Sequence, residues 1–309
     1  MIKTTLDRTT KIIDSSKLND FLDCPRKFYY SHIKGWKRDA ENHHLRFGTA
    51  WHRGGEVLFN KGNDAWEEAY AAFCDSYSEY LEIGGEIDEA MAPKNSIGAY
   101  QAYIGYASRY AKDEFEIIRH KGKPLVEVYG SVPIDKQLSL FYRIDGIVRN
   151  KQTGKIWAME RKTTSNGFRP QWAMQWSLAI QISAYYHVLF STFPEEEVGG
   201  VMIDAVSFSK KTIDFLRLPI QRTIETLEAW RTDVSYWGKS IRSNLNLLKK
   251  EMILEAPSHM TSFPKNPQSC TKYFGCTYHD LCCAWSNPLD KDYLPAGFQV
   301  SFWDPRKEN

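Results

Sequence analysis

No stretch of this 309-residue chain approaches the roughly 18 consecutive apolar positions that a membrane span requires. Its start, MIKTTLDRTTKIIDSS, lacks a basic segment followed by an apolar one, so no secretory leader is expected and a cytoplasmic location is. Charge of one sign is equally scarce. Against 38 Asp and Glu stand 40 Lys and Arg, a formal net charge of +2, so any polyanion must be met by a local basic surface and not by the chain as a whole. Internal repeats and low-complexity linkers are missing, which excludes solenoids and arrays. A nucleotide-binding loop is missing too: WGKS at 237–240 has the right ending, but Asp233 stands where such a loop needs glycine. Cysteines number only 6, and in a reducing compartment metal or cluster ligation is a better default for them than disulfides.

What is present begins with aromatics, 14% of the chain with 10 Trp and 17 Tyr, which suits either base stacking or a rich core. Helical patterning starts at Ser15 or Ser16, whose hydroxyl is placed to cap a turn before Leu18, Phe21 and Leu22. It returns in RFGTAWHRGGEVLF and in amphipathic stretches between about 63 and 120. Strands are expected at about 124–134, 138–149, 155–163, 199–208 and 213–219, with helices at about 169–191 and 221–250. The economical reading is one α/β domain over 1–309: N-terminal helices to 60, a helical insertion at 61–120, a mixed-sheet core at 121–220, and a C-terminal segment at 221–309.

Chemistry gathers in YRIDGIVRNKQTGKIWAMERKTTS, residues 142–165. Two strand-like runs flank a polar connection at 150–155, the composition of a hairpin. Strand side chains alternate, so Glu160 and Lys162 share one face and Arg161 takes the other. Replacing Arg161 is therefore expected to be mild. If Asp145 faces the same way from the neighbouring strand, two carboxylates and an ammonium converge within about 5 Å, a metal site with a lysine beside it. The bland alternative is a solvated sheet edge carrying charge against aggregation.

These residues, in their order, resemble the PD-(D/E)XK nuclease superfamily, and within it the RecB-like branch that includes AddB and CRISPR-adaptation nucleases. The resemblance runs through Gly48 to His52 (G-x-x-x-H), Glu127 on a strand, Asp145 in RIDG, Glu160 and Lys162 (E-x-K), and Gln181 with Tyr185 (Q-x-x-x-Y). It implies a restriction-endonuclease-like mixed central sheet flanked by helices. Asp145 and Glu160 would hold Mg²⁺ or Mn²⁺, with His52 as a nitrogen ligand. Lys162, Gln181 and Tyr185 would complete the catalytic set. Glu127 is a further candidate, with a surface strand glutamate as the plain alternative.

The same resemblance assigns Cys24, Cys270, Cys276 and Cys282 to a [4Fe–4S] cluster that staples the chain ends. The gap from Cys270 to Cys276 is longer than the branch's usual C-x2-C, so Cys283 stays open as an alternate ligand and zinc as an alternate metal. Cys74 reads as an ordinary buried thiol. The implied activity is a metal-dependent DNA exonuclease in recombination or DNA processing, of a type carried by phages. Implied partners are DNA and a recombinase, helicase or single-strand-binding protein, with no membrane. Arg46, Arg53, Arg169, Trp172, Lys210 and Lys211 are candidates to line the DNA groove. The rival reading is a catalytically silent DNA-binding or scaffolding protein on the same fold.

Overall fold

The computed structural model describes residues 13–39, 42–82, 85–253, 258–272, 275–291 and 293–302. The chain divides into two compact units: Met1–Ala40 with Gly130–Tyr142 and Glu228–Asn309, and Glu41–Tyr129 with Arg143–Leu227. No helix among the described residues is long and apolar enough to cross a membrane.

The second unit is built on a mixed sheet. Strand Ser139–Asn150 pairs antiparallel with Ile156–Thr164, which pairs parallel with Val198–Phe208, which in turn pairs antiparallel with Ile213–Ile220. The connection at 150–155 turns on Asn150, whose side-chain oxygen accepts the amides of Gln152 and Thr153 at 3.0 and 2.9 Å, while Gly154 takes a positive φ of 72°. Val198–Phe208 is almost wholly buried, as a strand paired on both sides should be.

Helix His43–Lys61 starts on Asn42, whose side chain accepts the amide of His44. It buries Phe47, Ala50, Trp51, Gly54, Gly55 and Leu58, a stripe at helical spacing. The stripe joins an aromatic core with Phe73, Tyr77, Tyr103 and Phe208. Gly54 and Gly55 are required here by close approach. A Cβ on Gly54 would lie 1.9 Å from the Tyr103 hydroxyl, and one on Gly55 would lie 2.0 Å from the Arg161 guanidinium. Half-buried Cys74 packs against this core, and burial pushes its thiol pKa up.

The helix expected at 169–191 is two. Pro170–Met174 ends in a turn, and Ile180–Thr192 begins afresh. The amide of Ser177 bonds back only three residues, to Met174. Arg222 donates to the freed carbonyls of Trp176 and Ser177 and so fixes the break.

In the first unit, helix Ser15–Asp23 is capped by Asp14, which accepts the Lys17 amide at 2.8 Å, and not by the Ser15 or Ser16 hydroxyl. A carboxylate one position earlier is the stronger partner for that amide. Arg26, 2% exposed, donates to the carbonyls of Phe263 and Met260 and ties this segment to the C-terminal one.

Candidate metal centre and a cysteine cavity

The antiparallel ladder between Ser139–Asn150 and Ile156–Thr164 runs from Arg149 opposite Ile156 to Gly146 opposite Met159. Beyond it, the Arg161 amide donates to the Asp145 carboxylate at 2.7 Å, in place of a ladder bond. A side chain thus occupies the end of the strand pairing, which holds Asp145 at 8% exposure beside the E-x-K residues. Its other neighbour is His52, whose Nδ1 lies 3.3 Å from Asp145 Oδ2. His52, Glu127 and Asp145 offer ligand atoms all within 4.8 Å of one another, the one such group of three or more His, Cys, Asp and Glu among the described residues.

Glu160 stands outside that trio, 2% exposed. Its Oε1 accepts from the Lys162 ammonium and, at 2.9 Å, from the Gln181 amide. Its Oε2 is buried with no hydrogen-bond partner. A buried carboxylate oxygen left bare costs several kcal/mol unless something positive meets it. Gln181 also donates to the Tyr185 hydroxyl at 2.8 Å, and that hydroxyl donates to the Arg143 carbonyl. Helix Ile180–Thr192 is thereby anchored two residues before Asp145.

The electrostatics follow from this crowding. Burial works to raise the Asp145 pKa, but the His52 charge and hydrogen bond, the Lys162 charge and the Arg161 amide overcome it, and the carboxyl is held below its ordinary value. Glu160 is raised, first by burial and then by the Asp145 charge. Glu127 is pushed up to about 7, by burial and by the charges of Asp145 and Glu56. Burial lowers His52 and Lys162, yet the neighbouring carboxylates prevail and both are raised. Three carboxylates in one buried place repel one another until a cation joins them. Oxygen donors with one imidazole suit Mg²⁺ or Mn²⁺, so the residues present fit a divalent ion.

Glu127 carries a feature invisible in the sequence. Its φ is +50°, a left-handed backbone inside strand Val126–Pro133 that glutamate rarely adopts. Such strain, on the order of 1 kcal/mol, persists where the position serves something besides stability. Glu127→Asn is accordingly expected to raise the stability of metal-free protein by about 1 kcal/mol, because asparagine tolerates this conformation and adds no buried charge. Mn²⁺ affinity should fall at least tenfold. Thermal melting with and without Mn²⁺ checks both; a variant less stable than wild type without metal would contradict the strain argument.

The remaining groove candidates scatter. Arg46 and Arg53 face Glu79 and Glu56 at 3.8 and 3.0 Å. Lys210 and Lys211 are exposed at the tip between the last two strands of the sheet. Arg169 is exposed at the start of the Pro170–Met174 helix. Arg161 points away from Glu160 and Lys162, but its side is not solvent: it is 4% exposed and pairs with Asp204 at 3.6 Å. The sequence reading missed this burial, and also Arg222 and Trp176. The Trp176 ring lies 5.8 Å from the Lys162 ammonium.

A family model for the PD-(D/E)XK nuclease superfamily matches residues 15–283. The chain belongs to the PD-(D/E)XK nuclease superfamily. Membership implies a metal-dependent phosphodiester hydrolase, and the His52, Glu127 and Asp145 cluster is its possible metal site. The mixed sheet flanked by helices fits the superfamily fold. A solved structure described as "Crystal structure of SSO0001" is 17% identical over 80% of this chain and 94% of its own, with a TM-score of 0.27, too low to carry an argument. No curated protein matches the chain.

The cysteines lie in the first unit. Cys24, Cys270, Cys276, Cys282 and Cys283 line one cavity of about 610 Å³. The Asn266 amide donates to Cys24 Sγ at 3.2 Å, and the Asn266 and Ser269 side chains both donate to the Asp23 carbonyl. Burial pushes Cys282 up to about 11, against the charges of Arg26 and Lys265. Cys276 is raised as well, by burial. Cys283 is exposed, and its sulfur faces the His279 ring at 3.7 Å. No three of these thiols are within 4.8 Å of one another.

Proposed function

We propose that this chain is a Mg²⁺- or Mn²⁺-dependent deoxyribonuclease of the RecB-like branch, acting as an exonuclease in recombination or DNA processing. The observation that carries the nuclease reading is the bare, buried Glu160 Oε2 beside the compact His52, Glu127 and Asp145 group. Exonuclease mode, recombination role and phage origin are carried over from the resemblance. His52, Glu127, Asp145 and Glu160 would hold the ion, which when bound supplies a Lewis acid and a more acidic water. Lys162 places a positive charge where a pentavalent phosphate gathers negative charge, and Gln181 and Tyr185 fix Glu160 and the strand against it. The test is hydrolysis of end-labelled DNA without ATP. Mg²⁺ or Mn²⁺ should support it and Ca²⁺ should support binding with little cleavage; cleavage persisting in excess EDTA would refute the mechanism, and metal-independent binding with no cleavage would favour the scaffolding alternative.

A structural [4Fe–4S] cluster at Cys24, Cys270, Cys276 and Cys282 belongs to the same reading. Tetrahedral zinc with Zn–S bonds of about 2.3 Å needs sulfurs about 3.8 Å apart. Thiols spread more widely around a cavity of this size suit a larger group. Anaerobically purified protein should be brown, with iron and sulfide near four each per chain as a four-iron cluster requires. Cys24→Ser, Cys276→Ser or Cys282→Ser should bleach it and lower soluble yield, while Cys74→Ser and Cys283→Ser should do neither. Colourless protein with one zinc would replace the cluster by a zinc staple.

A further inference from the structure

The segment between Glu160-Arg161-Lys162 and helix Ile180–Thr192 carries an aromatic row that nothing so far uses. Phe168, Trp172 and Trp176 follow one another at four-residue spacing. Phe168 meets Trp172 edge to face at 5.0 Å and 62°, and Trp172 meets Trp176 at 5.6 Å and 73°. Rings joined by their edges do not cover one another's faces. All three are only half-buried, and the neighbouring Met174 and Leu178 are 69% and 83% exposed, so the row is not a closed core. Its inner end is fixed: Trp176 lies against the Lys162 ammonium, and Arg222 holds the Trp176 and Ser177 carbonyls. The Trp176 indole N–H is buried and has no acceptor. Arg169 stands exposed beside the outer end.

We propose that Phe168, Trp172 and Trp176 form a platform on which unpaired bases of a nucleic-acid strand stack as its backbone reaches Lys162, so that single-stranded DNA is the preferred substrate form. The proposal rests on the nuclease reading. Aromatic faces accept any base, whereas bases inside a duplex have theirs occupied by their neighbours, so the platform discriminates by strandedness and not by sequence. The buried indole donor gives the first base or its phosphate an acceptor's place, and the ammonium next to it supplies the charge that the backbone needs.

Fluorescence anisotropy with a labelled single-stranded oligothymidylate and with a blunt duplex, both in Ca²⁺ to hold the centre without turnover, tests this. Trp172→Ala should weaken single-strand binding about tenfold, leave duplex binding within about twofold and keep the wild-type melting temperature. Trp172→Phe, which retains a stacking face, should bind single strands within about threefold of wild type. Equal single-strand binding by wild type and Trp172→Ala would overturn the platform while leaving the nuclease reading intact, and so would an equal loss on both substrates. Wild-type protein that binds neither DNA would overturn the nuclease reading itself, and the platform with it.

Discussion

Asp145→Asn is expected to reduce DNA hydrolysis by about 10³-fold or more, equivalent to roughly 4 kcal/mol of barrier, with the fold retained. The asparagine oxygen can still accept the Arg161 amide that Asp145 accepts at 2.7 Å, so the end of the strand pairing survives. What is lost is the charge that joins His52 and Glu127 in one compact group. Single-turnover hydrolysis at saturating Mn²⁺, alongside a melting curve, checks the expectation. Activity within tenfold of wild type would remove Asp145 from the metal centre.

The second large effect concerns stability. Arg161→Ala should cost about 3 kcal/mol, the usual consequence of removing one member of a buried ion pair. Arg161 lies in register with Asp204 on the adjoining parallel strand, and both are nearly inaccessible, at 4% and 2%. Its guanidinium also sits 3.7 Å from the Phe59 ring centroid and fills the space that Gly55 leaves open. Asp204 would keep Arg217 at 3.4 Å and the Tyr106 hydroxyl, which limits the loss. Urea denaturation reads the difference; a change below about 0.5 kcal/mol would show that the pair contributes nothing net.

Arg161 also shows where sequence reasoning reaches its limit. Alternation along a strand places it opposite Glu160 and Lys162, and that much period two dictates. Whether the opposite side is water or core depends on helix His43–Lys61, far away in sequence, whose paired glycines let it settle onto the guanidinium. The mild outcome expected from the sequence fails for that reason. The hairpin itself was legible because its turn chemistry and strand composition are local. Pairing between Gln181 and Tyr185 was legible because four-residue spacing is local too.

Glu127 was less legible. A left-handed glutamate has no compositional mark, since the sequence signals for that conformation are glycine and asparagine. The break at 175–179 escaped because its stabiliser, Arg222, is supplied from more than forty residues downstream. Convergence of Cys24 on Cys270, Cys276 and Cys282 followed from a resemblance and from no local pattern; the contacts of Asn266 and Ser269 with Asp23 and Cys24 show what brings them together.

The most direct test of the central claim is a Mn²⁺ titration followed by electron paramagnetic resonance, in the absence of DNA, on wild type, Asp145→Asn and Cys276→Ser. If His52, Glu127, Asp145 and Glu160 are the divalent-metal centre, wild-type protein binds Mn²⁺ saturably, Asp145→Asn loses that binding, and Cys276→Ser keeps it in whatever fraction folds. Mn²⁺ binding that is unchanged by Asp145→Asn would contradict the account.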